Sequence, residues 1–402
     1  MRLRALPALF GALVMLSPAL VPVWNACARA VQAKSLVIFP IQLAGVQVQP
    51  PKPHLSLSTL WSGTFAHDYA TRFGRNLRIL SYAVKIKSQA YYSLLETSSI
   101  PAIVVGRNHT LYEPWYIAEY CTRDLASFVP KAEDWAIKLR LMQDYYQAKG
   151  QVFVYVITPS KAAVYPEYIP ASWPCPEDHE ADRRHLLEAY RAVLDRHGVH
   201  FVDTATIVRQ AKERYPFLIF PRGGTHWTEI GAALGAQALI KEVNSHRPAR
   251  PLESFTFEWR PVKPAGTDRD LMNLLNLIWP DLNYVTPKID VEMDGNGLAK
   301  CGTPAKAMLV GGSFLKAIWN ILQKSKCGIE MDYWGYFQIW YLHFPGNIGG
   351  LMTPAWERER DQKLLAGTDI VLFEENEQIV ARSNHFLPFF RLLEPYLASA
   401  AR

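Results

Sequence analysis

Between residues 58 and 97, apolar side chains return every three or four positions: Leu60, Phe65, Tyr69, Phe73, Leu77, Leu80 and Val84. That spacing predicts helix. Further along, the pattern changes to short apolar runs: Ala102 to Val105, Val152 to Ile157, Phe201-Val202, Ala307 to Val310 and, apolar after its first residue, Asp369 to Phe373. Such runs predict strands buried on both faces. Segments of helical period lie among them, at Ala132–Lys149, Ala181–His197, Asp203–Tyr215, Glu229–Val243, Phe314–Trp319 and Leu387–Leu397. Strands alternating with helices predict an α/β fold, a mostly parallel sheet flanked by helices. Residues 245 to 266 are Pro-rich and contain a strand-like Ser254 to Glu258, either an excursion or a connection. The expected organisation is therefore a segment 1–30, a helical lead-in 31–100, and an α/β domain 101–402 with an excursion near 245–300.

The first 30 residues differ from the rest. Arg2 and Arg4 precede an apolar stretch from Ala5 to Trp24, and Ala26-Cys27-Ala28 and Ala28-Arg29-Ala30 offer small-x-small cleavage sites. This reads as an export signal or, since Ala5 to Trp24 is long enough, an N-terminal anchor that associates with a membrane. The periplasm is the expected destination. Residues 1–30 hold three arginines and no acid, so their removal lowers the formal net charge from +6 to +3. With no basic block, nucleic acid is not an expected partner. Cys121, Cys175, Cys301 and Cys327 allow two disulfides in an oxidising compartment; Cys121–Cys175 with Cys301–Cys327 is the simplest of three connectivities. No CxxC or HExxH spacing is present, so no metal and no cofactor are expected.

Two short segments carry the chemistry. Val310-Gly311-Gly312-Ser313-Phe314 places a serine on a glycine-bracketed turn between a predicted strand and a predicted helix. Such a turn exposes a nucleophile and points backbone N–H groups at a developing oxyanion. Gly224-Thr225-His226-Trp227-Thr228 supplies a histidine just before another helix. Together they suggest acyl transfer with Ser313 as nucleophile, His226 as base and Gly311 and Gly312 shaping the oxyanion turn. Each residue also has a plainer reading: Ser313 as a helix cap and His226 as a packed core histidine.

The chain resembles the alginate O-acetyltransferase family, SGNH-hydrolase-like proteins of exopolysaccharide acetylation. The likeness runs through Trp61 to Phe65, Phe73-Gly74-Arg75, Val105-Gly106-Arg107, Leu111-Tyr112-Glu113, Thr158 to Lys161, Tyr165-Pro166-Glu167 and Asp369 to Glu377. In that family the serine lies in a Gly-Asp-Ser-Phe turn and the histidine in an Asp-x-His-Trp motif. The resemblance maps these to Ser313 and His226, in the circularly permuted order. The two motif aspartates fall on Gly312 and Gly224. A triad aspartate orients the histidine and stabilises the imidazolium. Three readings of its absence at Gly224 stay open: another carboxylate, with Asp203 and Asp270 best placed at element ends; a dyad whose histidine is oriented by a backbone carbonyl; or a degenerate site.

The resemblance implies a polysaccharide substrate and a membrane-bound O-acyltransferase that supplies acetyl groups. The rivals are a glycan acetylesterase of the same fold and a catalytically degenerate polysaccharide-binding or assembly subunit. The aromatics Trp227, Tyr333, Trp334 and Tyr336 are candidate sugar contacts. The cluster they join, with Phe337, Trp340 and Tyr341, reads first as core and second as a stacking platform. Glu374, Glu375 and Glu377 read as a solvated strand end, with a second catalytic acid as the alternative.

Overall fold

The computed structural model describes residues 16, 20–33, 37–38, 43–45, 52–76, 80–294, 303–366 and 368–400. Two compact units divide the chain: residues 1–105 with 270–281, and residues 106–269 with 282–402.

In the first unit the expected helical stretch is broken into Leu57–Trp61, Thr64–Asn76 and Leu80–Leu94. Ser56 caps the first of these and forms a reciprocal capping box with Thr59. Residues 270–281 join this unit through side-chain bonds to backbone. Asn276 Oδ1 accepts from Ala44 N at 2.7 Å, Lys85 Nζ donates to Leu277 O at 3.1 Å, and Gln89 Oε1 accepts from Ile278 N and Trp279 N. Among the described residues no helix is long and apolar enough to cross a membrane. Most of the expected signal or anchor core lies outside the described residues.

The second unit is built on a seven-stranded sheet. Eleven strands occur among the described residues: β1 Val104–Val105, β2 Leu111–Tyr112, β3 Val152–Thr158, β4 Phe201–Asp203, β5 Phe255–Val262, β6 Thr286–Met293, β7 Ala305–Gly311, β8 Ile329–Gly335, β9 Trp340–Phe344, β10 Ile348–Leu351 and β11 Ile370–Asn376. The central sheet runs β10-β9-β8-β7-β11-β3-β4. The pairs from β8 through β7, β11 and β3 to β4 are parallel, and β9 and β10 add an antiparallel edge. The expected mostly parallel sheet is present, with an antiparallel meander that the apolar pattern did not announce. Its strands are dense in aromatics, which read as core or platform and hid the period of two.

Strand side chains alternate between faces. Phe153, Tyr155 and Ile157, with Met308, Val310, Val371 and Phe373, join one buried cluster with the helices Leu125–Gln147, Glu180–Arg196 and Phe386–Ala400. Helix Glu229–His246 contacts β3, β4 and the helix Ser313–Leu322. The expected helix beginning at Ala132 starts seven residues earlier, at Leu125, because Asp124 caps it through Ser127 N and the helix runs through Pro130. Proline at the sixth helical position removes one backbone bond without ending the helix. The excursion contains an antiparallel ribbon, β5 with β6. Cys121 and Cys175 form a disulfide, with Cα atoms 4.9 Å apart. The other expected pairing involves Cys301, which lies outside the described residues.

Candidate active site

Strand β7 ends at Gly311, and Gly312 occupies the cap of helix Ser313–Leu322. The cap position is thus Gly312, and the serine is the first helical residue. Its hydroxyl is engaged elsewhere: His226 Nε2 and Ser313 Oγ are 2.8 Å apart. Both side chains are half-buried, between core and solvent. A hydroxyl hydrogen-bonded to an imidazole nitrogen, at the N-terminus of a ten-residue helix, has the geometry of an activated nucleophile. The cap and core readings of these residues do not account for this contact.

The turn beneath Ser313 is braced from two strands. Gly312 N donates to Glu374 Oε2 at 2.6 Å, and Glu374 Oε1 accepts a short bond from Thr158 Oγ1. The Tyr333 hydroxyl donates a short bond to Gly312 O and a longer one, 3.2 Å, to Gly311 O. A Cβ on Gly311 would come within 2.6 Å of Glu374 Oε2, so the glycine there makes room for the carboxylate. The amide of Gly312 points at this carboxylate, which removes it from the oxyanion donors expected of the turn. The Ser313 amide, on the peptide whose carbonyl Tyr333 holds, is the donor left to that role.

The expectation of a solvated strand end at Glu374, Glu375 and Glu377 is corrected: they are 1%, 0% and 5% exposed. Strand β11 is a central strand and continues through Asn376, so its acids enter the interior. Burial pushes the carboxyls of Glu374 and Glu375 from 4.5 up to about 7. Glu375 accepts from Trp135 Nε1 and Tyr155 OH, and Glu377 accepts from Ser160 N and Arg209.

The histidine loop has its own support. Lys161, only 3% exposed, donates from Nζ to the carbonyls of Pro221, Arg222 and Gly224 at 2.6, 3.1 and 2.7 Å. Leu111 N bonds Arg222 O, Thr225 Oγ1 donates to Glu113 Oε2, and Thr228 N bonds Ile219 O. At Gly224 a Cβ would meet Thr267 O at 2.3 Å and the Asp268 carbonyl carbon at 3.0 Å. An aspartate cannot stand there, because the backbone of Gly266–Arg269 fills its place. Tyr284 holds that segment, donating to Asp268 O and accepting from Gly223 N.

Asp203 is the cap of helix Thr204–Ala211, accepting from Thr206 N at 2.8 Å, and its other oxygen lies 3.4 Å from Arg191 Nε. Asp270 begins the helix Asp270–Leu274, and its carboxylate accepts from Leu271 N. Of the expected sugar contacts, Tyr333 and Trp334 are fully buried and Trp227 is 3% exposed, so all three lie in the interior. Strand β8, which carries Tyr333 and Trp334, is covered on both faces. Tyr336, 37% exposed, keeps an accessible edge, and its ring lies 3.2 Å from where a Gly312 Cβ would stand. Sequence reasoning gave no role to Lys161, Glu113 or Thr158, although all three fall within the stretches that carry the family likeness.

The sheet and its flanking helices define an SGNH-hydrolase-like α/β protein. The family model described as SGNH hydrolase-like domain, acetyltransferase AlgX, matches residues 103–326, more than half of the chain, and the chain belongs to that family. It is 26% identical over 342 residues to a probable alginate O-acetylase AlgJ of Pseudomonas putida, covering 82% of this chain and 83% of that protein. A probable alginate O-acetylase AlgJ of Pseudomonas aeruginosa is 26% identical over 54% of this chain, which spans about half (52%) of that relative's length. Among solved structures, the O-acetyltransferase domain of Pseudomonas putida AlgJ is similar at 22% identity and TM-score 0.46, covering 75% of this chain and 99% of that one.

Proposed function

We propose that this chain is an O-acetyltransferase of the periplasm that moves acetyl groups onto hydroxyls of an exopolysaccharide through an acetyl-serine intermediate. The 2.8 Å contact between His226 Nε2 and Ser313 Oγ carries this reading. His226 takes the hydroxyl proton as Ser313 Oγ attacks the acetyl carbonyl, and the Ser313 amide stabilises the oxyanion. Collapse expels the donor's leaving group, which receives the proton from His226. A sugar hydroxyl then gives its proton to His226, attacks the acetyl-serine carbonyl and leaves as the ester, returning the proton to Ser313.

The relatives' names support alginate or a similar polymer as acceptor. By resemblance the acetyl group comes from a membrane-bound O-acyltransferase. In this reading Ser313 and His226 work as a dyad with no orienting carboxylate assigned. Asp203 is already the cap of a helix, its carboxylate accepting from Thr206 N. The test is intact-mass analysis of the full chain treated with p-nitrophenyl acetate, where acetyl replacing hydrogen adds about 42 Da. An adduct on Ser313 that is lost in Ser313→Ala and His226→Ala is expected. No adduct on the wild-type chain overturns the reading. Free acetate in place of ester, with polymer acceptor present, turns it into an esterase.

A further inference from the structure

The buried carboxylate of Glu374 takes no part in the proton transfers above, yet it lies directly beneath the nucleophile. It is 1% exposed, on the central strand β11, beside β7, whose end bears the Ser313 turn. Its two oxygens have separate tasks. Oε2 accepts from Gly312 N at 2.6 Å, and Oε1 accepts from Thr158 Oγ1 at the end of β3. The residue therefore joins three adjacent strand ends at one carboxyl group. A buried carboxylate is costly unless its lone pairs are filled, and here they are filled by the turn that must stay fixed. The neighbouring peptide is held from the other side by Tyr333 on Gly312 O. The backbone from Gly311 to Ser313 is thus clamped at both an amide and a carbonyl.

We propose that Glu374 is a positioning residue for acetyl transfer: by accepting the Gly312 amide hydrogen it sets the peptide that aims Ser313 Oγ and the Ser313 N–H. This rests on the acyl-transfer reading above. A misplacement of about 1 Å at a reacting group can lower the rate about 10²-fold, and that is the effect expected when the clamp is removed.

The test compares the full chain with Glu374→Ala and Glu374→Gln. One measurement is the rate constant for acetylation of Ser313 by p-nitrophenyl acetate, from the p-nitrophenolate burst and intact mass. The second is hydrogen exchange of the peptide containing Gly312, with thermal melting to show that each variant is folded. Alanine is expected to slow acetylation about 10²-fold and to speed amide exchange at the turn. Glutamine keeps an acceptor oxygen of the same reach, so it is expected to restore protection and most of the rate. A merely space-filling role would be met by neither contrast. An alanine variant with wild-type exchange and acetylation overturns the proposal, as does a glutamine variant as slow as alanine. A wild-type chain that gains no acetyl group, while exchange at the turn still responds to Glu374→Ala, overturns the acyl-transfer reading and leaves the clamp standing as structure alone.

Discussion

The serine turn and the histidine loop each carry a glycine where the resembled family has an aspartate, and the two glycines sit in unlike surroundings. At Gly312 the space beside the α-carbon is bounded by the Tyr336 ring at 3.2 Å and Glu374 Oε2 at 3.5 Å. At Gly224 it is filled by main chain, with Thr267 O only 2.3 Å from a built Cβ. One glycine stands next to a carboxylate brought from a neighbouring strand; the other stands next to a backbone segment locked by Tyr284. A missing motif residue therefore has two meanings. It can leave a group replaced from another element, or it can make way for a different course of the chain.

Separating the histidine from Asp203, the nearer along the chain of its two candidate acids, is the sharpest way to break this comparison. His226→Ala is expected to lower acetylation of Ser313 by about 10⁴-fold or more, the loss typical of removing a member of such a catalytic set. Asp203→Asn is expected to keep the rate within a few-fold and to change stability by less than about 1 kcal/mol, since asparagine also caps helices well. Equal rates in the two variants, from the same burst measurement, would remove His226 from the mechanism.

Next in size is the support under the histidine loop. Lys161→Met leaves the carbonyls of Pro221, Arg222 and Gly224 without the ammonium that they share. The expected loss is about 3 kcal/mol in denaturant unfolding, with weakened His226 function. A variant as stable as wild type would show that the loop is held by its other bonds.

The two glycines can then be compared directly. Gly224→Ala drives a methyl into the Thr267 carbonyl and is expected to cost about 1–3 kcal/mol. Gly312→Ala meets the edge of Tyr336 at 3.2 Å and Glu374 Oε2 at ordinary contact distance, at φ of −85°, and is expected to cost less than about 1 kcal/mol. Thermal melts of the pair decide it, and the reverse order would contradict the packing described.

The smallest effect is electrostatic. Glu374 and Glu375 titrate at about 7 in the fold and at 4.5 when unperturbed, because burial disfavours their charge. Folded protein thus holds two protons that the unfolded chain has released. The stability they contribute is complete below pH 4.5 and is lost as pH rises through 7. His385 has the opposite sign: burial lowers it from 6.5 to about 4, so it favours the fold as pH rises from 4 to 6.5. Between pH 6.5 and 8 these two carboxylates act in this way, and stability is expected to fall by about 1 kcal/mol for each. Glu375→Gln should remove one share of that slope; a slope unchanged in the variant would reassign it.

Much of the site was legible in the chain. Ser313 and His226 were marked by a glycine-bracketed turn and a histidine before a helix, both local features that a sequence displays directly. The buried sheet strands were legible for the same reason, as short apolar runs. What stayed hidden depends on contacts between distant strands. The run from Glu374 to Glu377 looks solvated because its charges give no sign that β11 is central. Tyr333 and Trp334, read first as core and second as a sugar platform, are core because strand β8 is paired on both sides, by β7 and β9, and pairing cannot be read from one strand alone. Lys161 donates to carbonyls 60 to 63 residues away, a relation with no local signature.

The four residues from Thr158 to Lys161 touch both halves of the site: the first through Glu374 to the serine turn, the last to the carbonyls before His226. Serine and histidine are 87 residues apart in the chain, and the span between them includes the ribbon of β5 and β6. The reference mark for both lies at the end of β3, and within the span the stretches around Gly266–Arg269, Tyr284 and β7 are bonded or packed to the two loops. The ribbon of β5 and β6 makes none of those bonds, so its length can vary while the pair keeps its register.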